Sequence, residues 1–192
     1  MLRTLPQNLL VVGLAVTLMV GCSLPVGDQS DPEQLHYKFI SVRAAGDVDA
    51  MWTLLHPDVR AEFEQWWTAE KLAYGEIQTA YPKADVPAAL KAIGGGKRAK
   101  LAGPKALFQM VYIARASPLG GLQEMGAHVR SSDVDGDHAV VRSYAGDETS
   151  YRKSGAAWFV DLPKAEFVRL VAARKKAQAN RIQVQKNLNP AP

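Results

Sequence analysis

The sequence predicts an α+β fold: N-terminal helices packed on a curved antiparallel sheet, with an extra basic helix at the C-terminal end. Three observations carry this. Between Ala127 and Leu162, runs rich in Val, Ser, Thr, Tyr and Trp are separated by Asp135-Gly136-Asp137, Ala145-Gly146-Asp147 and Ser154-Gly155. Tight hairpin turns need the positive φ that Gly, Asn and Asp tolerate, so the segment reads as four antiparallel strands. Between Ser30 and Arg115, apolar residues recur at helical rather than strand spacing. After Leu162 that spacing returns, now among Lys and Arg. A chain of 192 residues with 47% apolar content suffices for one domain with one core.

The N-terminus speaks to location. Arg3 precedes an uninterrupted apolar run, Leu9 to Val20, which is the shape of a secretory signal and is short for a bilayer span. Met19-Val20-Gly21-Cys22 then resembles the lipobox of bacterial lipoproteins, with Met19 where Leu is commonest. The resemblance implies cleavage before Cys22 and lipid attachment to it. Ser23 in the next position resembles lipoproteins sent to an outer membrane, facing the periplasm. Cys22 is the only cysteine, so no intrachain disulfide and no cysteine-rich metal site is expected. The expected divisions are a signal peptide at 1–21, a lipidated tether at 22–29, an α+β domain at 30–180 and a basic, disordered tail at 181–192.

The helices follow in order. Ser30-Asp31-Pro32-Glu33 supplies a cap, a proline for the first turn and an acid, and Leu35, Phe39 and Val42 form a stripe that stops at Gly46. Asp47 caps a second helix carrying Val48, Met51, Trp52 and Leu55, which His56-Pro57 ends because the residue before proline is pushed from the α region. Asp58, Val59, Phe63, Trp66 and Trp67 restart the pattern. Ala73, Ile77 and Tyr81 align before Pro82, Val86 to Ile93 follow a possible Asp85 cap, and Leu107, Met110, Val111 and Ala114 follow Pro104. Gly94 to Gly103 reads as a mobile basic loop.

In the strands, Ala139, Val141 and Ser143 alternate with His138, Val140 and Arg142, while Trp158, Val160 and Leu162 alternate with Phe159 and Asp161. Val140 and Phe159 spoil a polar outer face, which is therefore partly covered or offered to a partner. Pro163 opens the last helix, where Phe167, Leu170, Val171 and Arg174 align. From Lys164 to Lys186 seven basic residues face one acid, Glu166.

The stretch RAAGDVDAMWTLLHPDVRAEF, with the later hairpins and the ending SGAAWFVDL, resembles the NTF2-like (cystatin-like) superfamily. The resemblance covers Ser30 to about Phe63 and Gly126 to Leu162, and implies helices packed into a strongly curved antiparallel sheet. It also implies an early strand hairpin where this chain shows helical segments, so helices are expected to lid the open end of the sheet.

Few side chains suggest chemistry. Asp133, Asp135 and Asp137 have the spacing of a calcium loop, but His138 stands where Gly is needed and Tyr144 where a bidentate Glu belongs, so they read as a solvated turn. Gly94-Gly95-Gly96-Lys97 lacks the earlier Gly and the Ser or Thr of a phosphate loop, and Gly-x-Ser-x-Gly does not occur. The four histidines show no metal spacing, and no cofactor is expected. His56 with Asp58 is the nearest to a proton-shuttling pair, against the plainer reading that both punctuate a helix junction. Trp52 and Trp158 read as core. Trp66 and Trp67 are adjacent, about 100° apart on a helix, so one is expected at a pocket rim or interface. Lys175 and Lys176 are candidates for contact with an anionic envelope polymer, and nucleic acid is not expected.

Two functions follow as expectations. One is a non-enzymatic envelope lipoprotein binding a protein or a small apolar ligand. The alternative, implied by the superfamily, is an isomerase- or dehydratase-type enzyme using His56, Asp58, Tyr37 or Asp161 in a sheet cavity. They separate on whether two titratable groups meet at the floor of an apolar cavity.

Overall fold

The computed structural model describes residues 29–113 and 127–189. The expected signal peptide, Cys22, nearly all of the tether and residues 190–192 lie outside the described residues. The architecture is α+β, as expected, with α1 (Pro32–Ala44), α2 (Val48–Leu54), α3 (Pro57–Ala80), α4 (Val86–Ala92) and α5 (Pro104–Val111) preceding the strands. A single turn of 3₁₀ helix at Arg98–Lys100 separates α4 from α5. Strands β1 (Val129–Asp135), β2 (His138–Ser143), β3 (Glu148–Ser154) and β4 (Ala157–Asp161) follow, and α6 (Lys164–Leu188) ends the described chain.

The curved sheet is antiparallel in the order β1-β2-β3-β4, each hairpin closing at the glycine expected of it. Gly136, Gly146 and Gly155 all lie at positive φ. The inward face carries Ala139, Val141, Ser143, Tyr151, Trp158 and Val160, all buried, so the period-2 reading holds residue by residue. No strand hairpin precedes β1 among the described residues. Helices occupy that part of the chain, as the sequence suggested and the superfamily pattern did not.

Caps locate the helix starts. Asp31 accepts from the Glu33 amide and Pro32 holds the first turn of α1. Asp47 accepts from the Ala50 amide and starts α2. Asp85 precedes α4 but makes no side-chain capping bond, so that expected cap is not formed. His56 takes the cap position of α3, its ring accepting from the Asp58 amide.

The outer edge of β4 is occupied. Leu55 bridges Val160 in parallel, the His56 amide donates to the Val160 carbonyl at 2.8 Å, and the Trp158 amide donates to Gln29. The link between α2 and α3 is thereby stitched to the sheet.

Beneath the sheet lies an aromatic core. Phe108 is fully buried, its ring 5.6 Å from Phe63, 5.9 Å from Trp52 and 5.5 Å from Tyr112. Trp52 and Trp158 are core residues, as expected.

α3 and α6 run side by side in the same direction. Arg174 pairs with Glu62, whereas Arg181 and Gln185, further along α6, reach Glu76, further along α3. The seam repeats every seven residues: Leu170, Ala177 and Val184 on α6 against Phe63, Glu70 and Ile77 on α3, all buried. At about 1.5 Å per residue these helices are about 36 Å long, well beyond the reach of strands of five to seven residues. The overhang is sealed by a second small cluster, in which Ala73, Ile77, Ile93 and Val184 are buried with Leu90 and Leu188 against them.

Two expectations need correction here. The boundary at residue 180 fails, because α6 continues to Leu188 and Val184 is buried against α3 and α4. The apolar stripe of α6 is thin at this point because its middle member is Ala177. The segment Gly94–Gly103 is likewise held in place. Gly96 lies at φ +68, where a Cβ would come within 2.5 Å of the Tyr74 ring. Further along, Arg98 donates to Glu70 at 2.8 Å and the Trp67 indole donates to the Leu101 carbonyl at 3.2 Å.

Candidate functional site

Where α6 leaves the sheet, four elements fail to close on one another and leave a cavity of about 400 Å³, within the range of small-molecule sites. α3 contributes Phe63 and Trp66, the end of α5 contributes Val111 and Tyr112, Leu162 follows β4, and α6 contributes Leu170 and Ala173. Three charged residues complete the lining: Arg43 from the last turn of α1, and Glu166 and Arg169 from the first turns of α6. Phe63 and Trp66 stack with ring centroids 6.3 Å apart, and Ala173 has the smallest side chain of the lining.

The walls are rigidly supported. Trp66 is 7% exposed, and its indole N–H donates to Glu70 Oε1 at 3.2 Å. The same carboxylate oxygen accepts from Arg98, whose guanidinium lies 5.4 Å over the Trp66 ring. Buried Glu70 thus has two donors, and the indole plane is fixed by both. Tyr112 stacks on Phe108, and burial, with Glu166 nearby, raises its hydroxyl pKa above the usual tyrosine value. It is a neutral phenol at physiological pH.

The two adjacent tryptophans divide as the helix geometry requires. Trp66 lines the cavity, while Trp67 is half-buried against Leu101, with Lys71 4.5 Å over its ring. Lys175 and Lys176 are exposed on the opposite side of α6 from its seam.

His56 and Asp58 do come together, but around Arg152 and away from the cavity. Arg152 donates to Asp58 at 2.9 Å and to His56 Nδ1 at 2.9 Å, and its Nε lies 3.0 Å from Asp161, a charge contact too poorly angled for a hydrogen bond. Nδ1 also accepts from the Asp58 amide at 3.2 Å, so the ring carries its proton on Nε2. Burial and then Arg152 lower the His56 pKa, with Asp58 and Asp161 opposing. The ring covers Phe159, 6.0 Å away edge to face, which explains how an apolar residue is accommodated on the outer side of the sheet. Tyr37 lies apart from this group, its hydroxyl accepting from the Val129 amide at the far edge of the sheet. Three of the four candidates of the enzyme reading therefore meet around Arg152, outside the cavity, and Tyr37 does not join them.

A buried polar pair went unnoticed in the sequence. His36 is 1% exposed, with Nε2 3.0 Å from the Ala127 carbonyl and Nδ1 2.8 Å from the Tyr151 hydroxyl. A carbonyl only accepts, so Nε2 holds the proton and Tyr151 donates to Nδ1. Burial lowers the His36 pKa and raises that of Tyr151.

Arg43, Tyr112, Glu166 and Arg169 were not foreseen as site residues. They come from three separate elements, and no local motif marks any of them. Among the described residues no cluster of three His, Cys, Asp or Glu is placed to hold a metal ion. No described helix is long and apolar enough to cross a membrane. Comparison with protein-family models, curated proteins and solved structures finds no match.

Proposed function

We propose that this protein is a membrane-anchored envelope lipoprotein, held by lipid on Cys22, whose folded domain binds a small apolar ligand. The observation that carries the binding reading is the cavity bounded by Phe63, Trp66, Leu162 and Leu170. The lipobox-like residues Met19 to Cys22 support the anchor, and Ser23 supports an outer-membrane destination. The helices packed on a curved four-stranded sheet are compatible with a distant NTF2-like relation. The enzyme alternative has less support, since the titratable groups at the cavity lie in its mouth and the His56 group is closed by Arg152.

Two measurements test the reading. Cys22→Ser should abolish incorporation of labelled palmitate, and undiminished labelling would refute the anchor. Binding of an uncharged polarity-sensitive dye should be blocked by Ala173→Phe, which fills the cavity, with circular dichroism confirming the fold. Unchanged dye binding by that folded variant would remove the ligand reading.

A further inference from the structure

The cavity has an unequal distribution of charge. Its floor is apolar: Phe63, Trp66, Leu162 and Leu170. Its mouth carries two arginines and one glutamate. Elsewhere in the domain, Arg98, Arg142, Arg152, Arg174 and Arg181 each lie within 4.0 Å of a carboxylate. Arg43 and Arg169 have no such partner among the described residues, a condition they share with Arg60 and Arg130, which do not line the cavity. Two uncommitted guanidinium groups beside an apolar trough offer forked donors to a carboxylate or phosphate oxygen.

Resting on the apolar-ligand reading above, we propose that the occupant is a single-chain amphiphile with a monoanionic head. Its chain lies along Phe63, Trp66 and Leu170, and its head meets Arg43 and Arg169. Glu166 sets the charge of the head. With two cations and one anion in the mouth, a head bearing one negative charge leaves it neutral, whereas a doubly charged head is disfavoured. The neutral Tyr112 hydroxyl remains available as an uncharged donor at the same wall. An uncharged alcohol of equal chain length would gain only the burial of its chain.

The test uses the full chain in membranes of the expressing cells and two photoactivatable probes of equal length, a fatty acid and the corresponding fatty alcohol. Labelled residues are identified from peptides. The acid should label peptides containing Trp66 and Leu170, and excess laurate should compete while lauryl alcohol competes weakly. Each of Arg43→Gln and Arg169→Gln should reduce acid labelling about fivefold, as expected for partly exposed ion pairs. Arg43→Lys and Arg169→Lys should restore most of it, and Glu166→Gln should raise it. Equal labelling by acid and alcohol, insensitive to the arginines, would overturn this inference and leave the apolar-ligand reading standing. Failure of both probes to label the cavity peptides would overturn the two together.

Discussion

His36 ties the first helix to the sheet by hydrogen bonds to the Ala127 carbonyl and the Tyr151 hydroxyl, and both bonds need the neutral ring. In the unfolded chain the ring protonates near its ordinary value of about 6.5, whereas in the folded chain it resists until lower pH. His56 behaves alike, for reasons of burial and Arg152. Below that ordinary value the unfolded state binds more protons, so stability is complete above about 6.5 and is lost as pH falls through the folded values. Urea unfolding at stepped pH should show this decline, and His36→Gln should flatten it. Tyr151→Phe should cost about 1–3 kcal/mol at neutral pH by leaving a buried acceptor unpaired, measured in the same way. Little of this was visible in the sequence. A histidine on an apolar helix face carries no mark of a partner more than ninety residues away. The three consecutive glycines looked like slack, yet at Gly96 the absent side chain is what lets the backbone rest on Tyr74.

The strands were legible because their rule is local: period 2 and a glycine at each turn place Val141 and Val160 inside without knowledge of the rest. The seam of α6 was harder to see, since an alanine between Leu170 and Val184 supplies close approach instead of hydrophobic bulk. Ala177→Leu should therefore destabilise by about 1–3 kcal/mol in chemical denaturation, through overpacking against α3. Ending the chain after Asn180 removes Val184 and the Arg181–Glu76 pair, and should lower the melting temperature by several degrees. Lys175 and Lys176 belong to the opposite face and Arg174 to the seam, where it grips Glu62 at 2.8 Å. Reversing charge at the two lysines alone should leave stability nearly unchanged, and it should reduce retention on anionic envelope fractions if that face contacts them.

At the scale of the whole molecule there are two hydrophobic clusters of unequal size, one beneath the sheet and one at the far ends of α3 and α6. The smaller has few members and no sheet, so amides near Ile77, Leu90 and Val184 should exchange with solvent sooner than those of β2 and β3. Phe108→Ala, at the centre of the larger cluster, should cost about 3–5 kcal/mol and accelerate exchange in both. The cavity could not be read from the sequence because it belongs to no element: it is the space left where α1, α3, α5 and α6 meet, and its arginines are far apart along the chain. The stitched edge of β4 has a consequence for assembly. With Gln29 and the Leu55–His56 link bonded along one side, only β1 has an outer edge without backbone partners among the described residues, its Val129 amide alone being taken by the Tyr37 hydroxyl. Two copies meeting there would each use the single open edge of the described strands, so strand addition through this sheet would stop at a pair and not extend into a fibre.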